Sequence, residues 1–139
     1  MKAMFEQPII PKLRAIYPSE EQIYTEIIKV WGIPESDVAE KVAKIDEELA
    51  EIGNPKLSYL ASGINGISVR VSAKAKTKEE ALALIKPYQV DIEYALKPYI
   101  FGYNSDTMEE HILALCHKHD WKIACVEWFT AGMMASRLM

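Results

Sequence analysis

Residues 57–75 read LSYLASGINGISVRVSAKA, and this stretch decides the fold. From Ile67 to Ala75 apolar and polar residues alternate, which is the period of a strand with one buried face. The buried face carries Ile67, Val69, Val71, Ala73 and Ala75. Leu57–Ala61 is predicted as a second strand, because Ser62–Gly66 between them contains the glycines and the asparagine that tight connections favour. The stretch therefore predicts a β-hairpin whose outer face is exposed to solvent and basic.

Two amphipathic helices are predicted on either side of this hairpin. Before it, apolar residues at spacings of four, three and four form one helical stripe: Val38, Val42, Ile45 and Leu49. After it, Thr77 followed by Glu80 has the pattern of a capping box, in which each side chain satisfies an orphan backbone amide. Pro87 is predicted to kink or interrupt this second helix, since proline has no N–H to donate.

The N-terminal part of the chain predicts a lead-in and one more strand. Met1–Ile16 reads as an amphipathic segment that Pro8 and Pro11 prevent from forming one helix, and Pro18-Ser19 marks a turn. Gln22–Gly32 is rich in β-branched and aromatic residues, as expected of a strand buried on much of both faces. The order strand, helix, strand, strand, helix predicts an α+β fold, a small β-α-β-β-α sandwich.

The C-terminal part predicts a helix, a strand and a helix. A connector with a short strand covers Pro98–Asn104, and Thr107 caps a helix that carries Met108, Ile112, Leu115 and Cys116 on one side. Trp121–Val126 is predicted as a buried strand, and Thr130–Met139 as the start of another helix. Such a unit cannot cover its own apolar faces, which predicts a truncated domain. We therefore expect a lead-in at 1–20, a middle domain at 21–98, and a linker with the start of a second domain at 99–139.

Composition narrows the classes of function. Of 139 residues, 50% are apolar and 26% charged, as in an ordinary globular domain. The net charge of -4 has the wrong sign for a protein that mainly neutralises phosphates, so nucleic acid is an unlikely partner. We expect a cytoplasmic protein with no membrane contact, because there are only two cysteines, no secretory segment and no apolar run of bilayer length.

Two groups of residues are candidates for nucleic-acid contact. Gly63-Ile64-Asn65-Gly66 matches the GxxG loop with which KH domains clamp a nucleic-acid backbone. Here, however, it joins two predicted strands rather than two helices, and a hairpin turn is the favoured interpretation. Arg70, Lys74 and Lys76 form a basic stripe on one strand face and are candidate phosphate contacts. The favoured alternative is a solvated face that discourages association through strand edges.

Metal and cofactor chemistry are not predicted. Cys116 and His119 share one helix face while His117 points away, so this cluster lacks the four ligands of a tetrahedral site. The sequence contains no GxSxG, HExxH, phosphate-loop or dinucleotide-binding pattern. We expect no metal and no cofactor.

Several stretches resemble the family of competence- and damage-inducible CinA proteins, also known as nicotinamide-nucleotide amidohydrolases. The residues that carry the resemblance are Met1–Glu6 with Ile10–Leu13, Val30–Ser36, Val71–Ala75, and Ile100–Tyr103 ahead of Glu109-Glu110. The resemblance implies a KH-like middle domain followed by the start of a C-terminal amidohydrolase domain. It also implies that a first-domain nucleotide site precedes Met1 and that a catalytic tyrosine and lysine follow Met139.

The family motif that carries catalysis, Glu-Ser-Cys-Thr-Gly-Gly, is altered in this chain. The corresponding residues are Glu127, Trp128, Phe129, Thr130, Ala131 and Gly132. Trp128 thus occupies the position of the family's proposed serine nucleophile, and an indole has no hydroxyl with which to attack an amide. The resemblance implies a degenerate motif and no catalytic residue in this chain, with Thr130 as the one hydroxyl left in the stretch.

Three hypotheses about function follow. The leading one is a non-catalytic structural and oligomerisation fragment of a CinA-type protein. The alternatives are a protein related to nicotinamide mononucleotide amidohydrolase, with an unrecognised nucleophile, and a KH-like nucleic-acid-binding module. We expect a homo-oligomer, because apolar residues crowd 123–139, and the remaining domains of a CinA-type protein are expected partners if they are encoded separately.

Overall fold

The computed structural model describes residues 5–17 and 20–139. A π-helical turn, Phe5–Ile9, leads into the first helix, and short 3₁₀ turns cover Gly63–Asn65 and Lys97–Tyr99. The strands are β1 (Gln22–Val30), β2 (Lys56–Ala61), β3 (Ile67–Ala75) and β4 (Ile100–Tyr103). The α-helices are α1 (Ile10–Ile16), α2 (Glu35–Ile52), α3 (Lys78–Leu96), α4 (Met108–His119) and α5 (Met133–Leu138).

The four strands form one antiparallel sheet in the order β2-β3-β1-β4. The predicted hairpin is confirmed: β2 and β3 are paired from Lys56 opposite Ser72 to Ala61 opposite Ile67. The alternation predicted for β3 is also confirmed, since its five apolar side chains are buried and those between them are not. Gly66 ends the loop with a φ of 75°, and a Cβ added there would lie 2.3 Å from the Val30 carbonyl oxygen. Only glycine fits this approach.

Helices α2 and α3 cover one face of the sheet and complete the core. Val38, Val42 and Leu49 of α2 are buried, as the predicted stripe requires. Helix α3 contributes Ala81, Ile85, Ile92 and Leu96, and it begins with the predicted capping box of Thr77 and Glu80. The predicted α+β class is confirmed.

Pro87, which was predicted to kink or interrupt the helix, does not interrupt it, because α3 runs without a break from Lys78 to Leu96. Proline removes one hydrogen bond and crowds the preceding turn. Buried side chains lie on both sides of it, Ile85 before and Ile92 after, and both belong to the main hydrophobic cluster, so packing stabilises the helix before and after the proline.

The sheet contains a fourth strand, β4, after the predicted order of strand, helix, strand, strand, helix. The short strand predicted within the connector Pro98–Asn104 is β4, and the prediction did not include its pairing with β1, which makes it part of the same sheet. The bounds of the middle domain, 21–98, stay a prediction. Strand β4 continues the sheet beyond residue 98.

Two asparagine side chains extend the short edge strands. Beyond the end of β4, Asn104 exchanges hydrogen bonds with Ile27: its backbone N–H donates to the Ile27 carbonyl at 2.9 Å, and its Oδ1 accepts from the Ile27 N–H at 3.0 Å. Ahead of β2, Asn54 donates to the Lys74 carbonyl and accepts from the Lys74 N–H, both at 2.9 Å. Each asparagine therefore takes the place of one more strand residue.

One further prediction is wrong and another is confirmed. Strand β1 is not buried on both faces, since Ile23 is 72% exposed and only its last residues are enclosed. As predicted, the lead-in does not form one helix: the π-helical turn Phe5–Ile9 is followed by α1, and Pro11 lies in the first turn of α1, where an N–H has no partner to lose. The rest of the lead-in, Met1–Met4, and the turn predicted at Pro18-Ser19 lie outside the described residues.

Trp121–Val126 is also not a strand, contrary to the prediction. These residues have no regular secondary structure and are exposed. A strand needs a neighbour for its backbone groups, and the described part of the chain places none beside this segment.

Candidate functional site

The candidate site is the segment 127–132, which the resemblance aligns with the family's catalytic motif, together with α4 and α5. Helix α4 begins after Thr107, the predicted capping residue, and Glu110 completes a capping box that was not predicted. The Arg137 side chain of α5 forms an ion pair with Glu109 of α4, and its Nη2 donates to Asn65 Oδ1 at 3.0 Å. One guanidinium therefore connects the C-terminal helix both to α4 and to the loop between β2 and β3.

Glu127, the first residue of the motif, caps α5. Its carboxylate accepts hydrogen bonds from Thr130 Oγ1 at 2.7 Å, from the Met134 N–H at 2.8 Å and from the Ala135 N–H at 3.0 Å. The backbone N–H of Ala135, then that of Met134 and then the Thr130 hydroxyl lower the pKa of the Glu127 carboxyl from its usual value. Glu127 thus satisfies amides that the start of a helix leaves without partners.

The middle of the motif projects into solvent. Trp128 and Phe129 are 95% and 90% exposed, and together we call them the aromatic tip. Ala131 and Gly132 both have positive φ, 52° and 81°, which turns the chain back into α5. The structure therefore places two large apolar side chains at the outside of a tight turn.

An apolar cleft of about 470 Å³ lies beside this turn. We call it the methionine cleft. Its apolar lining consists of Trp31, Ile64, Met108, Ile112, Ile123, Met133, Met134 and Leu138, and its polar lining consists of Glu109, Glu127, Thr130 and Arg137. This cleft was not predicted from the sequence, because its apolar residues come from five separate parts of the chain.

The predicted basic stripe lies on the outer face of the sheet, but two of its three members are ion-paired. Lys74 Nζ lies 2.7 Å from Glu21, and Lys76 Nζ lies 2.9 Å from Glu20. The hydrogen bond and charge of Lys74 lower the pKa of the Glu21 carboxyl. Arg70 is half-buried, and its Nε has no hydrogen-bond partner among residues 5–17 and 20–139. The acidic pair just ahead of β1 could have been found from the sequence, because an antiparallel neighbour of β3 brings the start of one strand to the end of the other.

The loop 63–66, which matches the KH pattern, lies against the C-terminal part of the chain. Ile64 lines the methionine cleft, and Asn65 accepts the hydrogen bond from Arg137. The structure confirms that this loop joins two strands.

The histidines contact aromatic rings. His119 stacks on Trp121 with ring centroids 4.7 Å apart, and His111 meets the Phe101 ring edge-on at 6.4 Å. Within residues 5–17 and 20–139, no three His, Cys, Asp or Glu side chains are grouped closely enough to hold a metal ion. None of the helices in those ranges combines the length and apolar character needed to cross a membrane.

The fold defines an α+β domain of the KH-like type, and comparison with known proteins identifies it more closely. Residues 25–102, from β1 through most of β4, match the family described as the damage-inducible protein CinA KH domain. The chain belongs to this family, as the resemblance predicted.

Relatives match over the whole chain. A CinA-like protein of Frankia casuarinae is 32% identical over 138 residues, which is 99% of this chain and 32% of that protein. A putative competence-damage inducible protein of Clostridium beijerinckii is 32% identical over 139 residues, and one of Clostridium novyi is 33% identical over 139 residues. Each of those two matches covers 100% of this chain and 32% of the relative. The chain thus spans about a third of the length of the curated relatives it matches.

Proposed function

We propose that this chain is a non-catalytic structural and oligomerisation module of a CinA-type protein, in which Trp128 occupies the position of the family's nucleophile. One observation carries the proposal. The two polar side chains left in the motif, Glu127 and Thr130, bond to each other and to the start of α5. The carboxylate that could activate Thr130 is therefore already bound to two backbone amides of the helix.

Thr130 with Glu127 is the one pair in the motif that could act as nucleophile and base, since 2.7 Å separates the hydroxyl from the carboxylate. A general base works best when its pKa lies near the working pH. The pKa of Glu127 is instead lowered by the two backbone amides and by Thr130 itself. The pair is suited to capping a helix and poorly suited to removing a proton from the hydroxyl.

The structural part of the proposal is supported by Arg137. Its contacts with Glu109 and Asn65 connect the C-terminal helices to the KH-like domain. Side chains of this ion pair are mostly shielded from solvent, with exposed fractions of 32% and 19%. These contacts of Arg137 hold α4 and α5 in one position on the KH-like domain. A structural module that connects other domains of a longer protein requires such a fixed position.

The oligomeric part of the proposal is supported by exposed apolar surface. Besides the aromatic tip, Val126 and Met139 are fully exposed and Trp121 is 64% exposed. Contiguous apolar patches of more than a few hundred square ångströms are uncommon on soluble monomers.

The test of the non-catalytic role is release of ammonia from nicotinamide mononucleotide. We expect the purified, folded chain to release no more than a blank without protein. Ammonia release that depends on the chain would contradict the proposal. A parallel Thr130→Ala variant then identifies the source: lost activity would make Thr130 the nucleophile, and retained activity would assign the reaction to another residue.

A further inference from the structure

The aromatic tip and the methionine cleft are complementary in chemistry. Trp128 and Phe129 present two flat, apolar rings to solvent. The cleft presents three methionines, Met108, Met133 and Met134, among other apolar side chains. Methionine is flexible and polarisable, and its sulfur makes favourable contacts with aromatic rings. The cleft is thus well suited to receive aromatic side chains.

The cleft is also of suitable size. Its volume of about 470 Å³ lies within the range of roughly 300–1,000 Å³ that is typical of sites enclosing a small molecule. Two aromatic side chains are about as bulky as such a ligand. The tip of the same chain does not occupy the cleft, because both of its rings are at least 90% exposed.

The two features are neighbours along the chain. Glu127 and Thr130, which flank the tip, both line the cleft, as do Met133 and Met134 just beyond. When a projection and a cleft lie side by side on one surface, a two-fold axis between two copies brings each projection to the other copy's cleft. Such an interface is closed, because each copy gives one tip and receives one.

The buried area is that of a small specific interface. An aromatic side chain buries about 150–250 Å², so four rings in two copies bury roughly 600–1,000 Å². The two clefts lose less surface than the rings, and the total of roughly 900–1,300 Å² lies at the lower end of specific interfaces.

We propose that two copies of this chain associate by reciprocal insertion, with Trp128 and Phe129 of each copy in the methionine cleft of the other. The inference rests on the oligomeric part of the proposed function and gives it an interface. In this arrangement the altered motif is a binding element, and the residue in the nucleophile position is the anchor of the contact.

The first experiment measures mass by light scattering after size exclusion at micromolar concentrations. We expect a dimer for the full chain and a monomer for Trp128→Ala/Phe129→Ala, with the dissociation constant raised at least about 100-fold, because central aromatic anchors dominate interface energy. Tyr94→Ala is the matched control, since this tyrosine of α3 is 85% exposed and lies outside the cleft lining. It is expected to remain dimeric. A monomeric full chain, or a dimer that survives the loss of both rings, would overturn the proposal.

The second experiment tests reciprocity. Ile112→Glu places a charge in the cleft lining while leaving the tip intact, and we expect this variant alone to be monomeric. Mixed with Trp128→Ala/Phe129→Ala, it still offers one tip to one intact cleft. We expect heterodimers by native mass spectrometry that are weaker than the parent dimer but stronger than either variant alone. No gain on mixing would refute reciprocal insertion. Since ammonia release is a separate measurement, failure here leaves the non-catalytic proposal standing.

Discussion

The KH-like domain and the C-terminal helices are stabilised in different ways. Every buried member of the main hydrophobic cluster lies between Ile28 and Leu96, in the sheet and in α2 and α3. Helices α4 and α5 have no buried residue. They are held by a capping box, by the Glu127 carboxylate and by one ion pair. The difference indicates that the domain folds on its own apolar core, whereas the position of the C-terminal helices depends on a few polar contacts.

The largest effect is expected from a cavity in the core. Leu96→Ala removes a fully buried side chain of α3 and should lower the free energy of unfolding by about 2–5 kcal/mol. The matched control is Leu115→Ala on α4, where the leucine is 39% exposed and the cost should stay below about 1 kcal/mol. Urea denaturation measures both, and equal losses would mean that the two regions share one core.

A smaller effect is expected at the loop between β2 and β3. Gly66→Ala combines a positive φ with a clash against the Val30 carbonyl oxygen, so the loss should exceed the roughly 1–3 kcal/mol of backbone strain alone. Gly32→Ala is the control, because Gly32 has a similar φ of 78° and nothing within 4 Å of an added Cβ. Thermal unfolding measures both variants, and the larger loss at Gly66 is expected from the clash together with its ψ of -153°, a backbone conformation that is essentially restricted to glycine. If Gly32→Ala costs as much, neither the close approach nor this conformation of Gly66 is important.

Acid should loosen the C-terminal helices before it affects the domain. The pKa of Glu127 is lowered in the folded chain by the amides of Ala135 and Met134 and by Thr130, and the pKa of Glu109 is lowered by Arg137. A carboxyl whose pKa is lower in the folded chain than in the unfolded chain stabilises the folded state. This stabilisation is present above the unfolded pKa of 4.5 and is lost as the pH falls through the folded pKa. Amide hydrogen exchange at decreasing pH should therefore show α5 opening while β3 stays protected.

Glu127→Gln is the control for this acid response. It lacks the titrating group, so its α5 should exchange faster than the parent's at neutral pH and change less on acidification. An α5 that remains as protected in this variant as in the parent would mean that the carboxylate does not hold the helix.

The smallest effect is expected in the affinity for nucleic acid. We predict no tight binding of a mixed-sequence RNA or single-stranded DNA at physiological salt, because Lys74 and Lys76 are paired with Glu21 and Glu20 and no aromatic platform accompanies them. Fluorescence anisotropy is the measurement, with Arg70→Glu/Lys74→Glu as comparison. Sub-micromolar affinity that weakens steeply with salt and is lost in the double variant would reverse this interpretation.

Local patterns in the sequence predicted much of the fold. The alternation of β3, the stripe of α2, the capping box at Thr77 and the capping threonine Thr107 each depend on residues a few positions apart, and all four are present. Features that depend on distant partners were harder to predict. Strand β4 has four residues, and its place in the sheet comes from pairing with β1 more than seventy positions earlier. Trp121–Val126 has the composition of a strand, but composition cannot supply a neighbour.

The same limit applies to the candidate site. The sequence identified Glu127, Trp128 and Thr130 as the residues to examine. It could not show that Glu127 bonds to the amides of Met134 and Ala135, because this depends on the turn at Ala131 and Gly132. Nor could it show that Arg137 reaches Asn65, seventy-two residues away in sequence.

The asparagines at the two edges of the sheet have a consequence for solubility at high concentration. Exposed strand edges can recruit strands from other molecules and begin fibrous aggregates. In this sheet Asn54 and Asn104 occupy backbone groups of Lys74 and Ile27 at the points where the edge strands end. Polar side chains thus cover hydrogen-bonding positions of the inner strands β3 and β1, just beyond the ends of β2 and β4, where a foreign strand could otherwise pair.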